Sequence, residues 1–335
     1  MSGALSICVL IPAYNARPFL REALDSVLAQ TRPPEQIIVI DDGSTDGTAD
    51  VALAWQAERG RSITLIRQSN GGQSSARNAG LRAAWTDLVA LLDADDLYLP
   101  DHLQRLEQGF REAPQSVVCF GDAEEFTASG VTRPSYVAGT RIETVPIERR
   151  RGGLRLMTVS AFSSLLWGNY IPTAATMFGR AAALRVGLFD ERFRGPEDRE
   201  FLLRLSRLGP FSYYPIVLAR KREHGANATR PGRVLQFNRE QFRVLRNIES
   251  MADALQLSGV ERGAVRRAMA DHIADMQYTA STWGPGGYLT TCFFLARHGV
   301  LRPVLRLRPL LRALVWPFLH RKNLKPQKDI EALRA

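Results

Sequence analysis

Short apolar runs alternate with helical patterns through the first 120 residues. The runs are rich in Ile, Val and Leu and predict strands at 7–11, 36–40, 63–67, 88–92 and 117–120. Apolar residues at helical spacing separate the first two runs, and 74–85 is predicted to be a helix with Ser74 as its N-cap. This alternation predicts an α/β fold with a Rossmann-like, mostly parallel central sheet that is flanked by helices.

The pattern changes to helices alone beyond about residue 230. Before that point, short helices are predicted at 181–184 and at 199–208. The second helix starts just after Pro196-Glu197-Asp198, and Pro196 suits a first helical position. The uncharged segment 156–179 is interrupted by polar residues and a proline, which indicates a buried segment rather than a membrane span. We therefore expect two domains, an α/β domain at 1–230 and a helical C-terminal extension at 231–335.

The positive charge is concentrated near the end of the chain. The net charge is +10, and residues 276–328 contain nine Lys or Arg and no Asp or Glu. This asymmetry indicates an anionic partner for the tail. The cysteines, Cys8, Cys119 and Cys292, lie far apart in apolar surroundings and are expected to be reduced core residues of a cytosolic protein.

Three carboxylates follow directly on the fourth apolar run. Asp93, Asp95 and Asp96 stand where that strand ends, which is the edge at which ligands bind in open α/β sheets. Mg²⁺ and Mn²⁺ prefer oxygen ligands and are often held by one or two carboxylates together with substrate phosphates. The cluster thus favours a phosphate-bearing substrate anchored through a metal, and on these residues alone a turn with helix-capping aspartates is equally consistent.

Polar, turn-forming residues also follow the other strands of this half. They occupy 12–15, 41–48 and 70–80, and with 93–96 they make four loops at one predicted sheet edge. Each loop by itself is typical of ordinary turn chemistry. Together, in this order, they predict a single cleft.

These loops carry a resemblance to a known family. From residue 5 to about 230 the chain resembles the family 2 glycosyltransferases, which have the nucleotide-diphospho-sugar transferase (GT-A) fold. The resemblance implies that Asp42 hydrogen-bonds the nucleobase and that Pro12, Ala13 and Tyr14 line the base site. It also implies that Arg77 contacts the base or a phosphate.

The acidic cluster resembles the Asp-X-Asp motif of that family. By resemblance, Asp93 faces the ribose and Asp95 binds a Mg²⁺ or Mn²⁺ ion that bridges the diphosphate. Arg-X-His-X-X-Asn-X-Thr, which begins at Arg222, resembles the closing loop of the family. In that loop His224 completes the metal site or contacts the diphosphate, and Arg222 helps to neutralise it.

Glu197 and Asp198 resemble the catalytic pair of the family. Asp198 is implied to be the general base, and a helix N-terminus favours its ionised form. Glu197 is implied to orient the acceptor or the loop, and Thr173 is expected to border the acceptor pocket. From the dipeptide alone, simple helix capping explains both carboxylates equally well.

The resemblance implies a metal-dependent, inverting, hexosyltransferase-type enzyme. It moves a sugar from a nucleotide-diphospho-sugar, by resemblance a UDP-sugar, to a glycan or lipid-linked acceptor in cell-surface polysaccharide synthesis. Two alternatives differ from this interpretation in the residues that they require. A sugar-nucleotide nucleotidyltransferase is expected to have a Gly-rich basic loop after strand one, where this chain has Pro-Ala-Tyr-Asn. A non-catalytic membrane-associated scaffold is expected to have lost the carboxylates.

The basic tail favours an anionic membrane surface. Residues 297–328 mix Lys and Arg with aromatic and aliphatic residues, and prolines interrupt any long helix. A solvated helical appendage or a dimer contact is the alternative, and the oligomeric state is left open. No nucleic-acid recognition motif accompanies the charge, so nucleic acid is not expected. We expect a cytoplasmic protein, peripheral on the inner face of the plasma membrane.

Deletion of residues 297–335 tests the membrane role of the tail. Each basic residue near anionic lipid contributes about 1 kcal/mol, so the full chain is expected to sediment with phosphatidylserine-containing vesicles at moderate salt. The truncated chain is expected to stay in the supernatant. Neutral phosphatidylcholine vesicles are the control, and sedimentation of the truncated chain with anionic vesicles contradicts the role.

Overall fold

The computed structural model describes residues 4–224 and 234–300, together with 309 and 312–314. The chain divides into two compact units, Met1–Ala226 and Asn227–Ala335. The functional division into a catalytic domain at 1–230 and an extension at 231–335 stays a prediction. Most of the basic tail, and the Asn-X-Thr part of the closing-loop motif, lie outside the described residues.

One mixed sheet forms the centre of the first unit. In chain order its strands are β1 Ile7–Ala13, β2 Gln36–Asp41, β3 Thr64–Arg67, β4 Leu88–Leu91, β5 Leu97–Tyr98, β6 Val118–Thr127, β7 Gly130–Arg133, β8 Ile147–Arg149, β9 Arg155–Met157, β10 Thr176–Gly179 and β11 Phe211–Arg222. The strand order is β3-β2-β1-β4-β10-β6-β11-β9-β8, with β5 paired to β11 and β7 to β6. Strands β1 to β4 pair in parallel, and β10 runs antiparallel to both its neighbours.

Helices connect the strands and make up the second unit. The first unit contains α1 Leu20–Leu28, α2 Thr48–Arg59, α3 Gln73–Ala83, α4 His102–Glu112, α5 Phe162–Leu165, α6 Arg180–Arg185 and α7 Glu197–Leu205. The second unit contains α8 Val234–Ser250, α9 Gly259–Ser281 and α10 Gly284–Arg297. The α/β fold class with a helical C-terminal region is therefore confirmed.

Two predicted helix starts were wrong. Gly72, with φ 87°, is the N-cap of α3, so Ser74 lies inside the helix and is buried. Helix α7 begins at Glu197 rather than at 199, and Pro196 is its N-cap instead of its first helical residue. The earlier start places Glu197 and Asp198 in the first turn of α7, where the exposed backbone N–H groups favour negative charge.

The core explains why the strands are continuous apolar runs. All seven residues of β1 are buried, as expected for a strand between parallel neighbours. The segment 156–179 forms the short elements β9, α5 and β10 rather than one long helix. Within the part of the chain that the structure describes, no helix combines the length and the apolar character needed to cross a bilayer. Cys8, Cys119 and Cys292 are buried, as predicted, and none of the three is in a disulfide.

A glycine allows α3 to pack closely on the sheet. A Cβ atom built on Gly80 lies 2.6 Å from Leu10 Cδ1 and 2.9 Å from Ile40 Cδ1, and both neighbours belong to the buried strands β1 and β2. Those distances are too short for real contacts, so the absence of a side chain at this position determines how near α3 lies to the sheet.

Gly80→Ala is expected to destabilise the protein by about 1–3 kcal/mol, because the added methyl group overpacks the α3–sheet contact. Gly263→Ala in α9 is the matched control, since its Cβ meets nothing nearer than 3.6 Å. That substitution is expected to be neutral or to stabilise by up to about 1 kcal/mol through helix propensity. Denaturant unfolding measures both changes, and equal stability of the two variants contradicts the packing explanation.

Candidate active site

The loops after β1 and β2 lie side by side at one sheet edge. Ala13 pairs with Asp41 across the two strands, and the Asp42 N–H donates to the Ala13 carbonyl at 2.9 Å. Pro12 and Ala13 are buried, whereas the Tyr14 side chain is 54% exposed at the end of β1. The structure thus presents an aromatic ring beside the Asp-Asp-Gly-Ser turn.

The Asp42 carboxylate orders the loop that leads into α3. It is only 3% exposed and accepts hydrogen bonds from the Gly71 N–H at 2.9 Å, the Gly72 N–H at 2.8 Å and Gln68 Nε2 at 2.7 Å. These bonds engage both carboxylate oxygens. The contact of Asp42 with a nucleobase stays a prediction.

The acidic cluster after β4 meets the end of β11. Asp95 Oδ2 lies 2.9 Å from His224 Nε2, and Arg222 Nε donates to the Asp95 carbonyl at 3.0 Å. The buried Asp96 carboxylate accepts the Arg222 N–H at 2.8 Å. Two parts of the chain that are far apart in sequence, the acidic cluster and the Arg-X-His segment, are therefore joined directly.

Aromatic and acidic side chains hold Arg222 and His224 in place. The His224 ring stacks on Phe19 with the ring centroids 4.8 Å apart, and the Arg222 guanidinium lies 5.3 Å from the centroid of the same ring. Arg222 Nη2 also donates to the Glu22 carboxylate at 2.5 Å. Residues of α1 and the preceding loop thus line one side of the cluster.

The crowded carboxylates make the cluster suited to a cation. Burial raises the pKa of Asp95 and the charge of Asp93 raises it further, whereas His224 opposes the shift. Burial and the charges of Asp95 and Asp93 raise the pKa of Asp96 well above its usual range. Each shift reflects negative charge that nearby groups compensate only in part.

Asp95 and His224 would hold a divalent ion. Among the described residues, no group of three or more His, Cys, Asp or Glu side chains is arranged as a metal site. The Asp95 carboxylate fits Mg²⁺ or Mn²⁺, because such ions are often held by one or two carboxylates and take their remaining ligands from substrate phosphates and water, whereas an imidazole is more typical of softer ions.

Arg77 connects the acidic cluster to α7. Its side chain is 1% exposed, and its two terminal nitrogens lie 2.9 Å from Asp93 Oδ1 and 2.9 Å from Glu197 Oε1. Gln73, the first residue of α3, donates to the same Asp93 oxygen at 2.8 Å. The guanidinium was predicted to contact the base or a phosphate; in the structure it lies between two carboxylates.

Glu197 is enclosed by protein groups. It is 3% exposed, and its second oxygen accepts the Gly195 N–H at 2.8 Å. Burial raises the pKa of Glu197 to about 7, with Arg77 opposing the rise and Asp198 adding to it. The side chain is thus held against its own loop.

Asp198 is half-buried and is held by neighbouring polar groups. Its Oδ2 accepts from Asn169 Nδ2 at 2.8 Å and from the Thr173 hydroxyl at 3.3 Å, and its Oδ1 accepts the Arg199 N–H at 2.6 Å. Burial raises the pKa of Asp198, and the positive charge of Arg77 opposes the rise. A carboxylate with a raised pKa in a cleft is a candidate proton acceptor.

Three residues that position this site were given no individual role from the sequence. They are Gln73, which bonds Asp93; Asp96, which accepts the Arg222 N–H; and Asn169, which bonds Asp198. Asn169 was visible as a polar interruption of an apolar segment, and Asp96 as a member of the acidic cluster. Their partners are remote in sequence, so spacing alone did not reveal their roles.

Comparison with known proteins assigns the chain to a family. The sequence profile of glycosyl transferase family 2 matches residues 8–184, which include β1 to β4, the acidic cluster and α3. The chain belongs to glycosyl transferase family 2. The resemblance of its loops to that family is confirmed.

Relatives of this family 2 member occur among bacterial glycosyltransferases. The uncharacterized glycosyltransferase EpsJ of Bacillus subtilis is 31% identical over 197 residues, which are 59% of this chain and 55% of EpsJ. The succinoglycan biosynthesis protein ExoW of Rhizobium meliloti is 47% identical over 100 residues, 29% of this chain and 31% of ExoW. The matched region spans only about a third to a half of the length of most such relatives.

Solved structures share the fold. TarS 1-349 of S. aureus, in complex with UDP, superposes with a TM-score of 0.60 at 18% identity and covers 98% of this chain and 89% of its own. The mannosyltransferase PcManGT from Pyrobaculum calidifontis, in complex with GDP-Man and Mn²⁺, gives 0.54 at 18% identity over 96% and 89%. The architecture is thus that of GT-A glycosyltransferases.

Proposed function

We propose that this family 2 member is a metal-dependent, inverting glycosyltransferase that moves a sugar from a UDP-sugar to a hydroxyl group of its acceptor. The observation that carries the proposal is that Arg77 joins Asp93, in the loop after β4, to Glu197, which precedes Asp198 in the first turn of α7. Asp93 and Asp95 would face the donor, and Asp198 would face the acceptor.

The donor nucleotide would lie across the ends of β1, β2 and β4. Tyr14 is exposed at this edge and Asp42 borders it, so the nucleobase would bind beside the two loops, with Pro12 and Ala13 as the floor. Asp93 would accept a hydrogen bond from the ribose. UDP is supported by TarS, which shares the fold and was solved with UDP and with UDP-GlcNAc, whereas PcManGT was solved with GDP-Man.

The diphosphate would lie next to Asp95, His224 and Arg222. Carboxylates alone repel a diphosphate, so a Mg²⁺ or Mn²⁺ ion held by Asp95 and His224 would neutralise charge on the departing nucleoside diphosphate as a Lewis acid. PcManGT was solved with Mn²⁺ and a sugar nucleotide, which supports a metal in this fold. The Arg222 guanidinium would add positive charge at the same edge.

Asp198 would take the proton of the acceptor hydroxyl. As the O–H proton moves to Asp198, the acceptor oxygen forms a bond to the anomeric carbon. The bond between that carbon and the diphosphate oxygen breaks on the opposite face, and its electron pair stays on the β-phosphate. One displacement inverts the configuration. Asn169 and Thr173 donate hydrogen bonds to Asp198 and would hold it toward the acceptor.

The acceptor would be a glycan or lipid-linked sugar in cell-surface polysaccharide synthesis. ExoW is named for succinoglycan biosynthesis, which supports this class of acceptor. Thr173 and Glu197 would border the acceptor and its loop. The basic tail at 297–328 would hold the enzyme at the inner face of the plasma membrane.

A screen of nucleotide sugars with Mn²⁺ or Mg²⁺ tests the donor and the metal together. UDP-sugars are expected to be hydrolysed slowly without acceptor, and removal of the metal with EDTA is expected to abolish calorimetric binding of UDP. Restoration of binding by added Mn²⁺ is the control for damage by the chelator. Unchanged affinity for UDP in EDTA contradicts the metal dependence.

Asp198→Asn tests the base. The amide cannot accept the hydroxyl proton, so kcat is expected to fall by about 10²-fold or more, with UDP affinity nearly unchanged. Asp101→Asn, a carboxylate next to α4 that pairs with Arg105, is the matched control and is expected to leave both parameters unchanged. Comparable loss of UDP binding in Asp198→Asn indicates that its role is misassigned.

A further inference from the structure

Helix α3 contacts both sides of the cleft. At its N-terminal end Gln73 and Arg77 bond Asp93 of the acidic cluster, and the second terminal nitrogen of Arg77 bonds Glu197 of α7. The carboxylates that receive these bonds come from the loop after β4 and from the first turn of α7. Among the described residues no backbone hydrogen bond joins these two loops directly, and side chains of α3 bridge them.

The same helix also holds the loop between α6 and α7. Asn78 Nδ2 donates to the Phe189 carbonyl and to Glu191 Oε1, each at 2.9 Å, and Asn78 Oδ1 accepts the Phe189 N–H at 2.9 Å. Ser74 Oγ lies 3.5 Å from the Phe193 carbonyl. The segment that leads to Asp198 is thus fixed to α3 at several points before α7 begins.

We propose that Arg77 is a positioning residue that holds the donor-side Asp93 and the base-side Glu197 in a fixed relation, rather than a group that binds the nucleotide. Its side chain is 1% exposed, each terminal nitrogen bonds a carboxylate, and Nε is buried with no hydrogen-bond partner among the described residues, so the guanidinium is enclosed by protein. The inference rests on the proposed glycosyl transfer and deepens it.

The shape of the guanidinium explains why an arginine occupies this position. The planar guanidinium directs two separate N–H groups at two carboxylates. A lysine has a single nitrogen, which cannot lie at hydrogen-bond distance from both carboxylates at once. Both bonds to Asp93 use Oδ1, and no hydrogen bond within the described residues engages Oδ2. Oδ2 is therefore the oxygen that would meet the donor.

The charge of Arg77 also acts on the base. Asp198 is surrounded by Arg77 from α3, by Glu197 and Arg199 from α7, and by Tyr136 from the segment after β7. Burial raises the pKa of Asp198, and Arg77 is the foremost group that opposes it. Removal of this cation leaves the base protonated up to a higher pH.

The pH dependence of kcat/KM in Arg77→Gln and Arg77→Lys is the first test. In Arg77→Gln the acid limb is expected to move up by about one pH unit or more, because the lost cation no longer favours the carboxylate. In Arg77→Lys the charge remains, so the limb is expected to stay near its original position while kcat falls about tenfold through lost geometry. Arg82→Gln, an exposed arginine on the same helix, is the control and is expected to match the unsubstituted enzyme.

Calorimetric titration with UDP and Mn²⁺ separates positioning from direct donor contact. The positioning role predicts that Arg77→Lys binds UDP within about threefold of the unsubstituted protein. A loss of UDP affinity of tenfold or more in both Arg77 variants, with the acid limb unmoved, overturns the proposal and makes Arg77 a donor contact.

A thermal double-mutant cycle tests the buried network independently of activity. Arg77→Gln is expected to lower Tm by about 10 °C, since it leaves buried carboxylates unpaired. Glu197→Gln in the same background is expected to recover part of that loss, which gives non-additive shifts. Additive shifts overturn the proposal even when the protein turns over no sugar nucleotide. If the Tm shifts are non-additive but no sugar nucleotide is turned over, the proposed function is contradicted and the positioning role of Arg77 is not.

Discussion

A buried guanidinium between two carboxylates is the contact on which the geometry of this cleft depends. Arg77 lies 2.9 Å from both Asp93 and Glu197, and these three side chains belong to α3, the β4 loop and α7. Charges removed from water are tolerated only when they are paired with good geometry. Because Arg77 pairs with both carboxylates, the three elements cannot move apart without leaving the buried charge of Arg77 or of Glu197 without its partner.

The position of that guanidinium is itself set by packing on the sheet. Gly80 lets α3 approach Leu10 and Ile40 more closely than any residue with a Cβ atom allows. Helix α3 starts where the Asp42 carboxylate binds the Gly71 and Gly72 N–H groups. The close packing of Gly80 on the sheet and the hydrogen bonds of Asp42 to the residues just before α3 thus fix the helix that carries Arg77.

The second constraint is the crowding of negative charge after β4. Burial and mutual repulsion raise the pKa values of Asp95 and Asp96, and His224 and the Arg222 N–H group offset part of this. The protein has thus assembled carboxylates at a place where they are stable only next to donors or a cation. A divalent cation bound here, as proposed, would reduce that repulsion.

The alternation of apolar runs and helical patterns was sufficient to predict the α/β fold, because strand and helix periods are local properties. It was also sufficient to predict that polar loops share one sheet edge, because parallel strands end together. The N-caps Gly72 and Pro196 were missed, because neither has a side chain that accepts a hydrogen bond from the first helical turn, which is the usual sequence signal of a helix start. The pairing of Arg77 with Glu197, and of Asn169 with Asp198, joins residues remote in sequence. Only tertiary packing decided it, because local patterns carry no information about which buried charges meet.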